Sequence, residues 1–190
     1  MIDQFKENAK SFIKRWKDYK GNERSEAQTY LNEFFQIFGL NRKDEEAEFE
    51  EHPGKSKKFM DLIWKDILLL EMKRPSEKKL DNHLPQARYY WEQIKHPRPK
   101  YIILCNFHEY HIYDTHEDLY QSRDMIPLID LAKRLDAFRF MIGKEPIFAE
   151  EQIDLTRKAT GLLAKMFQSL KARDAAEIFG EAFRIELEVC

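Results

Sequence analysis

Residues 59–73 read FMDLIWKDILLLEMK, two apolar runs, Phe59 to Trp64 and Ile67 to Met72, with Asp61, Glu71 and Lys73 inside them. Such runs read as buried strands. An ionised carboxylate or ammonium buried without partners is costly, so charges in this setting point to a site. Side chains alternate along a strand, and Glu71 and Lys73 therefore share a face with Ile67 and Leu69, while Leu68, Leu70 and Met72 take the other. Asp61 shares its own face with Phe59 and Ile63, and the turn decides whether that face is the one holding Glu71. A two-residue turn at Lys65 and Asp66 pairs Trp64 with Ile67 and Asp61 with Leu70, which separates the carboxylates. A three-residue turn over Trp64 to Asp66 pairs Ile63 with Ile67 and Asp61 with Leu69, which brings Asp61, Glu71 and Lys73 together. An assembled site therefore requires an odd-length connection or a bulge between Trp64 and Ile67. The absence there of the Gly and Asn favoured by two-residue turns agrees.

Two carboxylates at close range repel, which makes a divalent cation their natural companion. A lysine two positions further on can orient an attacking water or offset the charge that builds on a phosphate. The chemistry expected of this trio is metal-assisted hydrolysis, with the Met72 carbonyl beside Asp61 and Glu71 as a third oxygen donor for Mg²⁺ or Mn²⁺.

The rest of the chain sets limits. Its 190 residues, 43% hydrophobic and 13% aromatic, allow one ordinary domain with an appendage. With 32 Lys and Arg against 34 Asp and Glu, the net charge of −2 excludes a globally basic nucleic-acid binder. Basic surface must be local, and the candidates are Lys55, Lys57 and Lys58 before the first strand and Lys73, Arg74, Lys78 and Lys79 after the second. No apolar run approaches the roughly 20 residues that span a bilayer, and the first residues lack a signal-peptide pattern, so a cytoplasmic location without membrane contact is expected. Cys105 and Cys190 are expected to be reduced thiols.

Helical spacing of Phe5, Ala9, Phe12, Ile13 and Trp16 predicts a helix over 3–19, and Ala27, Tyr30, Leu31, Phe34, Ile37 and Phe38 predict another over 23–38, closed by Gly39. A strand is expected near 47–51, a helix over 80–94 ending before Pro97, and strands at YIILCNF and EYHIYD. From Ile126 the pattern is read as wholly helical. This gives an α/β unit over 1–122 and a helical appendage over 123–190. His52, His83, His96, His108, His111 and His116 show no metal-type pairing with an acid in sequence and are assigned surface or packing roles.

Asp61, nine residues, Glu71, one residue and Lys73 resemble the D-x(n)-E-x-K set of the PD-(D/E)XK nuclease superfamily. Met60 stands where that superfamily has proline. Gln86 and Tyr90 in QARYY resemble the Q-x3-Y pair of its RecB-like branch. The ordered segments ERSEAQTYLNEFFQIFG, DLIWKDILLLEMKRP, LPQARYYW and PKYIILCNFHEYHIYD are similar to the N-terminal cleavage domain of restriction enzymes that fuse nuclease, helical spacer and methyltransferase, the type IIL and IIG group. The resemblance implies a restriction-endonuclease-like αβββαβ core with a mixed central sheet followed by a helical appendage. It also implies Mg²⁺-dependent cleavage of double-stranded DNA by Asp61, Glu71 and Lys73, with Gln86 and Tyr90 beside the site. Related nucleases often add an acid from the N-terminal helix, which makes Glu26 a further metal candidate with Glu23 as competitor. Methyltransferase and target-recognition parts are absent from these residues and are expected as a covalent continuation. A stand-alone repair or recombination nuclease, or a non-catalytic module with a structural Glu71–Lys73 ion pair, remain as alternative readings.

Overall fold

The computed structural model describes residues 2–51, 60–95, 97–153 and 156–169. His52, Lys55, Lys57, Lys58, Phe59, His96 and the stretch 170–190 with Cys190 lie outside the described residues. Helix α1 (Ile2–Trp16) buries Ala9, Phe12 and Trp16. Helix α2 (Glu23–Ile37) starts where the Asn22 side chain accepts the Arg24 N–H at 3.0 Å, satisfying one of the orphan donors of a first turn. It ends at Gly39, whose φ of 73° costs a glycine nothing.

Among the described residues six strands follow: β1 (Glu48–Glu51), β2 (Met60–Trp64), β3 (Leu68–Met72), β4 (Tyr101–Cys105), β5 (Glu109–Asp114) and β6 (Asp124–Pro127). They lie in sequence order in one mixed sheet, with β3 and β4 parallel and every other neighbouring pair antiparallel. The parallel pair needs a crossover, supplied by a 3₁₀ turn (Leu80–His83) running into helix α3 (Leu84–Gln93). The succession α2, β1, β2, β3, α3, β4 is the expected αβββαβ order. Alternation along the strands makes two cores. Leu62, Leu68, Leu70, Met72, Ile103 and Tyr110 pack with Phe12, Trp16, Tyr30 and Phe34 of α1 and α2. Ile63, Leu69, Ile102, Leu104 and Tyr113 pack on the other face with Leu84, Ala87 and Tyr90 of α3.

The β2–β3 connection is odd, as the sequence required. Trp64 pairs with Leu68 and Ile63 with Leu69 across the three residues Lys65 to Ile67, a register two residues removed from the expected pairing of Ile63 with Ile67 but of the same parity. The Ile67 N–H bonds the Trp64 carbonyl at 3.0 Å, and Asp66 takes the left-handed conformation, φ 66°, which Asp tolerates better than most residues.

Beyond residue 122 the chain differs from the expected run of helix. β6 adds an edge strand that buries Asp124 and Ile126 and exposes Met125, and Pro127 is admissible there because an edge strand has ladder positions where no N–H is needed. Two 3₁₀ segments, Leu128–Lys133 and Leu135–Ile142, then bury Leu128, Leu131, Ala137, Phe138 and Phe140 in the α1/α2-side core. The first compact unit accordingly runs to Phe148, and the second comprises residues 149–190. Within the second unit, residues 149–153 and 156–169 are helical, and Leu162, Leu163, Met166 and Phe167 are exposed. No helix among the described residues is long and apolar enough to cross a membrane.

The left-handed backbone at Asp66 makes a prediction. Asp66→Gly should leave stability unchanged or raise it by up to about 1 kcal/mol, while Asp66→Val should lower it by about 1 to 2 kcal/mol. Urea unfolding of the three proteins checks this, and equal midpoints would refute it.

Candidate functional site

The hairpin ladder runs as far as Leu62 paired with Leu70, and its parity puts the next residues, Asp61 of β2 and Glu71 of β3, on one sheet face. There the Asp61 side chain takes over a ladder acceptor's role: its Oδ2 receives the Met72 N–H at 2.7 Å. Because the N–H and C=O of one strand residue point to the same side, the Met72 carbonyl also faces Asp61. The Lys73 N–H bonds the Cys105 carbonyl of β4 at 2.7 Å, so the end of β3 is held from both sides.

Glu71 is only 2% exposed, and Lys73, with its side chain 13% exposed, donates from Nζ to Glu71 Oε2 at 3.2 Å. Glu71 Oε1 is buried with no hydrogen-bond partner among the described residues. Loss of solvent, then the nearby Asp61 charge, push the Glu71 carboxyl up to about 8, against the opposite pull of the Lys73 ammonium. On α3, Gln86 Nε2 donates to the Tyr90 hydroxyl at 2.7 Å. That hydroxyl lies in the fields of Glu71, Lys73 and Asp61, and its pKa is raised chiefly by burial. The structure thus gathers five of the residues singled out in the sequence, with the Met72 main chain.

Glu26 rides on α2, which packs against the opposite sheet face, and among the described residues no metal-type cluster of three acids joins it to Asp61 and Glu71. Glu23, at the start of the same helix, lines a cleft with Arg74.

A second polar group shares the face of Glu71. Across the sheet Glu71 neighbours Leu104, and Leu104 neighbours His111. His111 Nδ1 lies 2.7 Å from Asp81 Oδ1, and the Tyr113 hydroxyl donates to the same oxygen at 2.6 Å. Local sequence showed no such partner for His111, because Asp81 lies 30 residues away and only the crossover lays it on β5. The readable signal was the alternation of EYHIYD, which puts Glu109, His111 and Tyr113 on one face.

Two carboxylates, one with an orphaned oxygen, beside a main-chain carbonyl suit a hard cation. Magnesium in particular is held by one or two carboxylates and completes its shell with water and substrate phosphates. Among the described residues no cluster of three or more His, Cys, Asp and Glu is placed to enclose a metal, so any cation here would take part of its shell from the Met72 carbonyl, water or substrate.

A family model described as "MmeI, N-terminal domain" matches residues 7–173. Among solved structures, a chain of the "cryoEM structure DrdV-DNA complex" aligns over 76% of this chain at 16% identity and a TM-score of 0.42. The chain spans 14% of the length of that protein. Comparison with curated proteins finds no match.

The raised Glu71 carboxyl makes stability depend on pH. Between its ordinary value near 4.5 and about 8, the unfolded chain has lost the proton that the folded chain retains, so stability falls as pH rises through that window. In chelator, the protein should lose roughly a few kcal/mol relative to Glu71→Gln between pH 5 and pH 8.5. Urea melts at the two pH values read the difference, and parallel profiles would count against the buried carboxyl.

Proposed function

Because this chain belongs to the MmeI N-terminal domain family of restriction enzymes, we propose that it is the DNA-cleaving part of such an enzyme, hydrolysing phosphodiester bonds of double-stranded DNA with Mg²⁺. The observation that carries this reading is the buried, unpartnered Oε1 of Glu71 beside Asp61, with Lys73 on the same sheet face. A structural ion pair would account for the Glu71 oxygen facing Lys73 and leave the other without a purpose. Asp61, Glu71 and the Met72 carbonyl would hold the cation, for which Mn²⁺ is an admissible substitute. When bound, the metal supplies a Lewis acid that makes water a stronger nucleophile and offsets phosphate charge.

The protein's own groups then have distinct tasks. Asp61 is oriented by the Met72 N–H, and burial of Glu71 removes competing water and strengthens every charge interaction around it. Lys73 Nζ, held at 3.2 Å from Glu71, has donors left to orient the attacking water and to neutralise charge building on the phosphate. Gln86 orients the Tyr90 hydroxyl, which can donate to a phosphate oxygen from the α3 side. Methylation and target recognition would reside in further parts of a longer cytoplasmic enzyme. The same residues would also serve a stand-alone nuclease, but the family match favours the restriction reading.

The test is cleavage of supercoiled plasmid. The chain alone should nick weakly and without sequence preference in Mg²⁺, because phosphate contacts without base contacts carry no sequence information. Lys73→Ala should lower nicking by roughly 10²-fold or more while retaining the fold. Mg²⁺ should raise the melting temperature of the parent protein and not of Asp61→Asn. Undiminished nicking by Lys73→Ala would remove that residue from the reaction.

A further inference from the structure

At the end of β3 the chain passes from Lys73 directly into Arg74 and Pro75. These residues line one side of an open cleft of about 840 Å³, and the turn between α1 and α2 lines another. Lys20, Arg24 and Arg74 are exposed on its walls, with His108 from the β4–β5 turn and a single carboxylate, Glu23. Among the described residues no ion pair engages Lys20, Arg24 or Arg74. Several arginines elsewhere do have acidic partners, among them Arg15 with Glu33, Arg123 with Glu117 and Arg134 with Asp124. A protein whose net charge is −2 thus concentrates three cations without such partners around one concavity that begins one residue after Lys73.

The walls are fixed. The Tyr19 hydroxyl donates to the Asn22 carbonyl at 2.8 Å, Ser25 Oγ donates to the same carbonyl at 3.0 Å, and Asn22 caps α2. Gly21 lies so close to the Tyr19 ring that a Cβ there would stand 2.5 Å from the hydroxyl. On the other side, the Arg74 carbonyl accepts the Glu77 N–H at 2.9 Å. The His108 N–H donates to Asn106 Oδ1 at 3.0 Å, and the His108 carbonyl accepts the Leu128 N–H at 2.7 Å. Cationic side chains on a rigid backbone suit a repeating anion whose spacing is itself fixed.

We propose that this cleft seats backbone phosphates of the DNA next to the one cleaved, with Lys20, Arg24 and Arg74 as the contacting cations. The assignment rests on the nuclease reading above and adds where the strand runs. It makes the cleft a positioning surface without sequence selectivity, since phosphate contacts set register and carry no base information. Glu23 lies where it would weaken the binding.

The experiment is fluorescence anisotropy of a labelled duplex with the 190-residue protein in chelator, titrated over a range of KCl. Replacing Lys20, Arg24 and Arg74 together by Ala should flatten the slope of log K against log salt by about 2 to 3, since each neutralised phosphate contributes about 0.9. Affinity at low salt should fall at least tenfold. Arg74→Lys should keep the slope, and Lys6→Ala with Lys10→Ala and Lys14→Ala on α1 is the control of equal charge. An unchanged slope in the triple variant, or an equal loss in the α1 control, overturns the assignment. If the parent nicks plasmid in Mg²⁺ while the triple variant binds like the parent, the cleft fails and the nuclease reading stands. If the parent neither binds nor nicks, both fail.

Discussion

Three residues, Lys65 to Ile67, connect β2 to β3, and their odd number is the constraint on which the site depends. Side chains along a strand have a period of two, so a connection one residue shorter or longer would send Asp61 to the α1/α2 side while Glu71 and Lys73 stayed on the α3 side. With the observed register the Asp61 carboxylate meets the Met72 N–H where a backbone carbonyl would otherwise stand. The Met72 carbonyl, on the same side of the strand as its N–H, faces Asp61 as well. One turn thereby sets the positions of two carboxylates, a carbonyl and an ammonium.

The two faces of the sheet divide the work. One is covered by α1, α2 and the 3₁₀ segments after β6 with a dense set of rings: Tyr30 packs on Phe12, Trp16 and Phe107, and Phe34 on Tyr110 and Phe138. Buried hydroxyls there are satisfied internally, as in the hydrogen bond between Tyr30 and Tyr110. The other face has a smaller apolar core under α3 and carries Asp61, Glu71, Lys73 and His111. A buried carboxyl pushed up to about 8 opposes folding at neutral pH, and the aromatic face supplies apolar burial to offset it.

Charge follows the same division at the end of β3. Lys73 turns inward to Glu71, while Arg74 is exposed toward a cleft shared with the start of α2. Adjacent residues thus face two ways, one toward the carboxylates and one toward an exposed cationic cleft. Asp81 adds a brace on the α3 side, because its bonds to His111 and Tyr113 tie the turn that leads into α3 onto β5. Through that turn the position of Gln86 and Tyr90 is tied to the sheet.

Local rules acting on local sequence determined much of this protein. The period of two in DLIW and LLLEMK determined which residues share a face, and the spacing of apolar residues determined α1 and α2. The burial of charge in apolar strands marked Asp61, Glu71 and Lys73 before any fold was known, and the four-residue interval placed Gln86 beside Tyr90. Tertiary structure decided what depends on distant segments meeting. It set Ile63 against Leu69 rather than Ile67, because parity limits a register without fixing it. It paired Asp81 with His111 through the crossover and placed α2, with Glu26, against the sheet face opposite Glu71. It also made residues 124–127 an edge strand and 128–142 two 3₁₀ segments, since the apolar spacing there fits more than one helix type and the choice was made by the core into which Leu128, Phe138 and Phe140 pack. Propensity and periodicity act over a few residues, whereas register, crossover and capture of a short edge strand are settled by surfaces that exist only once the sheet has formed.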